Sequence, residues 1–391
     1  MRLLHLLEAT TAGVRRYVTT LLQHPPEGWE VSVACPAIRE THFGDIAFAD
    51  DVKQLGVPLH MLPLRRSIGP ADATAARELF ALLRRERFDV IHTHSSKAGF
   101  IGRLVARTAG LPAIHTPNGL YFLEQTGFKR WLYLTLERWA GRATTRMIAV
   151  SGGEREVIVR HRLTRPNRVR LIENGVDAEQ VRREAELPEA GALCRSLGVD
   201  GEGPLIGGVG RMAPQKDPLT FVRAAQSVRQ VFPAARFVWC GDGELRPAVE
   251  ELARELNVPL RVTGHLENVW AVMRRFDVFV LPSLYEGLPF TLLEAMALGV
   301  PVVATEVVGT RDVMKDELIG CLRPALRGWL VGSRDATALA HAIVEVLTRP
   351  DEAHRRIDAA KRLVETRFSI ERMVAAHHVL YADVLRSEGK L

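Results

Sequence analysis

The sequence predicts an α/β protein built from two doubly wound parallel sheets, and three observations carry that prediction. At 391 residues the chain is too long for one ordinary core and suits two domains. Short β-like runs alternate with longer helical stretches, the pattern of strands joined by crossover helices. The alternation stops once, at a polar, charged interval from about 178 to 203, and then restarts.

In chain order, the first series of strands is expected at residues 2–7, 31–35, 59–62, 89–93, 113–116 and 147–150. The second is expected at 205–209, 236–240, 260–263, 278–281 and 301–304. Beyond about Asp335 the pattern is helical, with apolar residues at helical spacing over 336–347 and 370–385. The expected division is therefore a first domain at 1–180, a second at 204–365 and a terminal helix at 366–391. In open parallel sheets, ligands bind beyond the carboxyl ends of the strands, so chemistry is sought there.

Composition narrows the classes. Apolar residues make up 47% and charged residues 25%, the balance of a globular protein. No run approaches the ~20 apolar residues of a membrane span, and the short 3–7 run is too brief for a signal peptide. Cys35, Cys194, Cys240 and Cys321 lack the close pairing of a zinc or redox motif, so a reduced, cytoplasmic setting is expected. Residues 1–180 hold 25 Lys+Arg against 18 Asp+Glu, while the remainder holds 27 against 28. That asymmetry suggests an anionic partner for the first half. No nucleic-acid-binding signature accompanies it.

The strongest constellation follows the run Val278-Phe279-Val280-Leu281. Glu286 and Glu294 flank a Gly-Leu-Pro turn, and Pro289 suits the first turn of a helix ending at Gly299. Free N–H groups of Phe290, Thr291 and Leu292 would face a bound diphosphate, and the carboxylates can accept hydrogen bonds from sugar and ribose hydroxyls. After the run at 205–209 comes Gly210-Arg211-Met212-Ala213-Pro214-Gln215-Lys216, which places two cations at the same sheet edge. The chain has no Asp-x-Asp sequence, so Arg211 and Lys216 would take the electrostatic role of a metal, and no essential metal or other cofactor is expected. A nicotinamide enzyme is disfavoured, because neither Gly208-Val209-Gly210 nor Gly241-Asp242-Gly243 has a third glycine at the required spacing.

Together, Gly208 to Lys216, Glu286 and Glu294 resemble the donor site of family 4 retaining glycosyltransferases, and the similarity extends across almost the whole chain. Glu8-Ala9-Thr10-Thr11-Ala12-Gly13 resembles the family's first-strand glycine loop, with Ala12 in place of a first glycine, and Asn174-Gly175-Val176-Asp177 its interdomain signature. The resemblance implies a GT-B architecture: two Rossmann-like domains with parallel sheets facing a central cleft. It implies that Arg211 and Lys216 hold the diphosphate of a nucleoside-diphosphate-sugar, that Glu294 binds the ribose and that Glu286 contacts the donor sugar. Gly13 would let backbone approach the phosphate, and His265 would help close the nucleotide side. His115, following a strand, would face the cleft and touch the donor sugar. Retention of anomeric configuration belongs to the resemblance, and no residue stands out as a covalent nucleophile.

His92 and His94 alternate on one strand like a metal pair, but no third ligand is legible beside them. The segment His94-Ser95-Ser96-Lys97-Ala98-Gly99 resembles bacterial enzymes of cell-surface polysaccharide assembly. Residues 121–147 concentrate Phe122, Phe128, Trp131, Tyr133 and Trp139 with Lys129, Arg130, Arg138, Arg142 and Arg146. Phe128, Leu132, Leu136 and Trp139 share one helical face, which is either ordinary core or a surface for an anionic membrane. The expected acceptor is a saccharide, lipid-linked at the inner face of the plasma membrane. The alternatives are a soluble sugar or polyol phosphate acceptor, a nucleotide-sugar epimerase, a phosphorylase, or a non-catalytic nucleotide-sugar binder.

Overall fold

A computed structural model describes residues 1–36, 45–65, 69–123, 125–315 and 327–391. The chain forms two compact units, Met1–Glu173 with Met373–Leu391, and Asn174–Arg372.

The first unit runs β1 (Arg2–Leu7), α1 (Ala12–Gln23), β2 (Glu30–Cys35), α2 (Asp45–Gln54), β3 (Leu59–Met61), α3 (Ala71–Glu86), β4 (Val90–His94), α4 (Ser96–Ala109), β5 (Ala113–Thr116), α5 (Gly127–Gly141), β6 (Arg146–Ala149), α6 (Gly152–Arg160) and β7 (Val169–Leu171). Its strands pair in parallel in the order β3-β2-β1-β4-β5-β6-β7, so the winding direction reverses between β1 and β4. Strands covered on both faces read as continuous buried runs, and β4 and β5 are buried at every residue. Leu4, Leu6, Ile91 and Ala113 pack with Leu79 and Leu83 of α3 and Ile101 and Val105 of α4 in one core. The seventh strand was not legible in the sequence. It is three residues long with two of them exposed, which leaves no alternation to read.

The second unit runs α7 (Ala178–Ala185), α8 (Pro188–Ser196), β8 (Leu205–Val209), α9 (Pro218–Val231), β9 (Arg236–Cys240), α10 (Arg246–Glu255), β10 (Leu260–Gly264), α11 (Val269–Met273), β11 (Val278–Leu281), α12 (Phe290–Leu298), β12 (Val302–Thr305), α13 (Val308–Met314), β13 (Trp329–Val331), α14 (Ala336–Thr348) and α15 (Pro350–Thr366). Its parallel sheet has the order β10-β9-β8-β11-β12-β13, with the reversal between β8 and β11. The core gathers Phe221, Phe237 and Trp239 with Leu339 and Ile343 of α14.

The division falls at Glu173/Asn174 rather than between 178 and 203. The polar interval folds as α7 and α8, which bury Val181, Ala185, Ala190 and Cys194 within the second unit. Their polar composition interrupts the strand series, which is why the boundary was expected there. The return falls at Arg372/Met373, inside the final helix α16 (Ile370–Ser387), rather than at 366. Next to these two passages, Val176 N–H donates to Phe368 O at 2.9 Å and Ile370 N–H to Val176 O at 3.2 Å, both within the second unit.

The remainder of α16 belongs to the first unit and is tied there by buried polar contacts. Tyr381 Oη lies 2.8 Å from His92 Nδ1, His92 Nε2 lies 2.8 Å from Thr116 Oγ1, and Tyr17 Oη bridges Thr116 Oγ1 and His377 Nε2. His377 Nδ1 faces the Met373 carbonyl at 2.7 Å, so it carries the proton, and Nε2 accepts from the Tyr17 hydroxyl. Cys35, Cys194 and Cys240 are buried and form no disulfide among the described residues, and Cys321 lies outside them. Among the described residues no helix is long and apolar enough to cross a membrane.

Candidate functional site

In the second unit the two loops that carry the expected donor residues leave β8 and β11, the neighbouring strands at which the winding reverses. Such a reversal opens a crevice at the carboxyl edge of a sheet. The structure brings Lys216 and Glu286 together there, Nζ to Oε1 at 2.5 Å, with side chains 16% and 6% exposed. Ser283 Oγ donates to the same carboxylate oxygen at 2.6 Å. The second oxygen of Glu286 is therefore the one left for a ligand hydroxyl, and Lys216 arrives paired rather than as an isolated cation. Arg211 is exposed and makes no ion pair among the described residues. It is the cation that a phosphate could recruit without breaking a contact.

Close backbone approaches shape these loops. Gly241 has φ +142°, and a Cβ there would meet Gly210 O at 2.1 Å. Gly309, at the start of α13, touches the turn itself: a Cβ would lie 2.2 Å from Gly287 O. The turn is also tied along its length, by Leu284 N–H to Gln215 O, Gln215 Nε2 to Tyr285 O, and Asn174 Nδ2 to Leu288 O at 2.7 Å.

Helix α12 begins after Pro289 and ends at Gly299 in the left-handed conformation. Leu292 N–H is not free, since it donates to Pro289 O at 3.2 Å in a tightened first turn. Phe290 and Thr291 keep the N–H groups that a helix start leaves without intrahelical acceptors. Thr291 Oγ1 is buried without a partner. Glu294 is 6% exposed inside α12. His265 is exposed directly after β10, where Gly264 bridges Gly241.

In the first unit Gly13 is exposed in the first turn of α1. The Glu8 carboxylate accepts from Ser95 Oγ and from the N–H groups of Lys97 and Ala98, so it caps α4 from the end of β1. Ser95 holds φ 62°, ψ 177°, a strained conformation fixed by these contacts.

His115 does not face open space as expected. It is fully buried, its Nδ1 lies 3.0 Å from Thr93 Oγ1, and Gly99 of α4 presses on the ring so closely that a Cβ would lie 2.2 Å from Cε1. Strand alternation turns residue 115 toward α4, with the fully buried Arg103 held beneath by Glu137. Its Nε2 is buried without a hydrogen-bond partner.

The third imidazole missing from the sequence reading of His92 and His94 is His5. Register pairs it with His92 across β1 and β4, and its Nδ1 lies 2.9 Å from His94 Nε2. The three rings form the one His/Cys/Asp/Glu group among the described residues whose donor atoms lie close enough for a metal ion. Burial lowers the His5 pKa to about 3 and that of His377 to about 4, and it pushes His92, His94 and His115 the same way, so all are neutral at pH 7. His92 has both nitrogens hydrogen-bonded already, which argues for a polar core network rather than a metal centre.

Glu154, on α6, accepts from Gly119 N and Val150 N, and burial raises its pKa to about 7. Val150 and the N-cap Ser151 are local to the start of α6, in the S-x-x-E pattern of a capped helix, whereas Gly119 comes from a distant loop that the sequence does not link to Glu154.

The aromatic segment folds as α5, which buries only Ala140 and Gly141. Phe128, Trp131 and Trp139 are 72%, 59% and 50% exposed, while Leu132 and Leu136 are half-buried, so the aromatic ends of the stripe lie outside the core. Phe128 and Trp131 stack on each other, with Lys129 and Arg130 exposed between them.

Residues 203–349 match the family model "Glycosyl transferases group 1", and residues 12–175 match "Glycosyl transferase 4-like domain". The chain is 33% identical over 286 residues to an Escherichia coli UDP-Gal:alpha-D-GlcNAc-diphosphoundecaprenol alpha-1,3-galactosyltransferase, covering 70% of each chain. It is 32% identical to the 2-deoxystreptamine N-acetyl-D-glucosaminyltransferase of Streptomyces fradiae, over 71% of this chain and 67% of that one. In fold it is similar to HepE from Anabaena, solved with UDP-glucose, at a TM-score of 0.80 with 17% identity and full coverage of both chains.

Proposed function

The chain belongs to the family 4 glycosyltransferases of GT-B fold, which use nucleotide-sugar donors, and on that premise we propose that it transfers a hexose with retention from a UDP-sugar to a lipid-linked saccharide. The observation that carries the donor half of this reading is the Lys216–Glu286 pair beside the exposed Arg211, at the strand ends where the second sheet reverses. As the bond to the diphosphate breaks, negative charge grows on the leaving oxygens. Arg211 and Lys216, with the N–H groups of Phe290 and Thr291, would stabilise it, and Glu286 would hold a sugar hydroxyl. These cations stand in for a metal ion. The uridine donor follows the activity for which the Escherichia coli relative is named.

The lipid-linked acceptor is supported by α5, which exposes Phe128, Trp131 and Trp139 with Lys129 and Arg130, a combination suited to an anionic bilayer surface. The Streptomyces fradiae relative, named for a soluble aminocyclitol acceptor, supports the alternative. Co-sedimentation with anionic vesicles separates the two. The protein should bind at low salt, release as salt screens the attraction, and bind less with Lys129→Gln and Arg130→Gln while donor affinity holds. Absence of binding at every salt concentration would favour the soluble acceptor.

A further inference from the structure

The donor turn is held from three directions, and one of them comes from outside its own sheet. Thr305, at the end of β12, donates from Oγ1 to Ser283 O, and Gln215 in the β8 loop engages Leu284 and Tyr285. The third tie is Asn174, the first residue of the second unit. Its Nδ2 lies 2.7 Å from Leu288 O. A carbonyl can only accept, so the amide must present its NH2 group to Leu288, and the orientation is unambiguous. Asn174 is 4% exposed, and its Oδ1 has no partner.

The anchor at the other end of this tie is rigid. Gly175 sits so close to Ser369 that a Cβ would meet its carbonyl oxygen at 2.3 Å, and Val176 pairs with Ser369 in a parallel bridge. From that fixed point Asn174 reaches the carbonyl two residues beyond Glu286. The same turn is also approached by Gly309 at Gly287 O, so the backbone that follows Glu286 is contacted at adjacent residues by α13 and by the Asn174 amide.

We propose that Asn174 is a positioning residue for transfer: by holding Leu288 O it fixes the Glu286 carboxylate in register with Lys216 and with the donor sugar. This rests on the donor-site reading given above. Asn174 touches no phosphate-binding group, so its loss should leave nucleoside-diphosphate binding in place and impair turnover, the step that depends on Glu286.

The test is a double-mutant cycle on the full chain, with UDP affinity by calorimetry and UDP-glucose turnover, by hydrolysis or transfer, as the two readouts. Asn174→Ala should lower kcat by ~10- to 100-fold, the scale of a small misplacement at a reacting centre, with UDP affinity within about 3-fold of the parent. Asn174→Asp keeps the volume but sets oxygen against oxygen, and should act the same way, which covers the case in which the alanine variant fails to fold. In a Glu286→Gln background, Asn174→Ala should cost less than about 2-fold more, because residues acting through one group are not additive. Full additivity, parallel loss of UDP binding, or unchanged turnover in the two Asn174 variants would overturn the proposal. Normal turnover in Glu286→Gln alone would instead overturn the donor-site reading and the proposal with it.

Discussion

Acidification should unfold the first unit before the second, and the buried imidazoles set the magnitude. His5 and His377 have an ordinary pKa of 6.5 when unfolded, and burial lowers them to about 3 and about 4 in the fold. A ring kept neutral by folding contributes its full stability above the unfolded pKa and loses it as pH falls toward the folded one. Each such ring takes ~1.4 kcal/mol from stability per pH unit in that window. Glu154 works in the opposite sense. Its pKa rises from 4.5 to about 7, so its burial costs most above neutrality and is relieved on acidification. One carboxyl gaining ~1.4 kcal/mol per unit cannot offset two rings losing as much each, and His92, His94 and His115 shift with them. Two pH units below 6.5, the net loss is at least ~3 kcal/mol, a large part of the ~5–15 kcal/mol of a typical domain. Hydrogen exchange of the β1 and β4 amides, pulsed at one fixed pH across a denaturant series, should show the first unit's midpoint falling steeply as the equilibration pH drops from ~6.5 to ~4.5. His5→Asn, which keeps a polar partner for His94 without titrating, should flatten that slope. Equal stability at both ends of the range, or an unchanged slope in His5→Asn, would refute the reasoning.

Three further outcomes are expected. Arg211→Ala and Lys216→Ala should each cut turnover by at least ~100-fold, measured as sugar transfer or donor hydrolysis, whereas near-normal turnover in both would remove them from the diphosphate site. If Arg211 and Lys216 carry the diphosphate charge as proposed, transfer should persist in excess EDTA, and a complete loss restored by magnesium would show otherwise. Gly309→Ala should impair turnover and lower Tm together, since its methyl group would have to displace the Gly287 carbonyl now 2.2 Å away. An active, fully stable Gly309→Ala variant would show that the donor turn yields easily.

Much of this molecule is written locally. Strand runs, helix starts and stops such as Pro289 and Gly299, and the identities of Arg211, Lys216, Glu286 and Glu294 depend on spacing along the chain, and sequence alone reveals them. It also marked α5 as aromatic and basic, though not which way the stripe faces, because a helical period says that one side is apolar and not what covers it. Tertiary structure decided that Trp131 and Trp139 face solvent, that His115 turns inward beneath α4, and that α7 and α8 belong to a domain rather than a linker. It alone joined His5 to His92 and His94 through strand register, Glu154 to Gly119, and Asn174 to Leu288, partners separated by up to 114 residues. A residue's type and neighbours fix what it can donate or accept, but which group it meets is set by packing at long range, and in a doubly wound sheet the strands that meet at the reversal point are those farthest apart in connection.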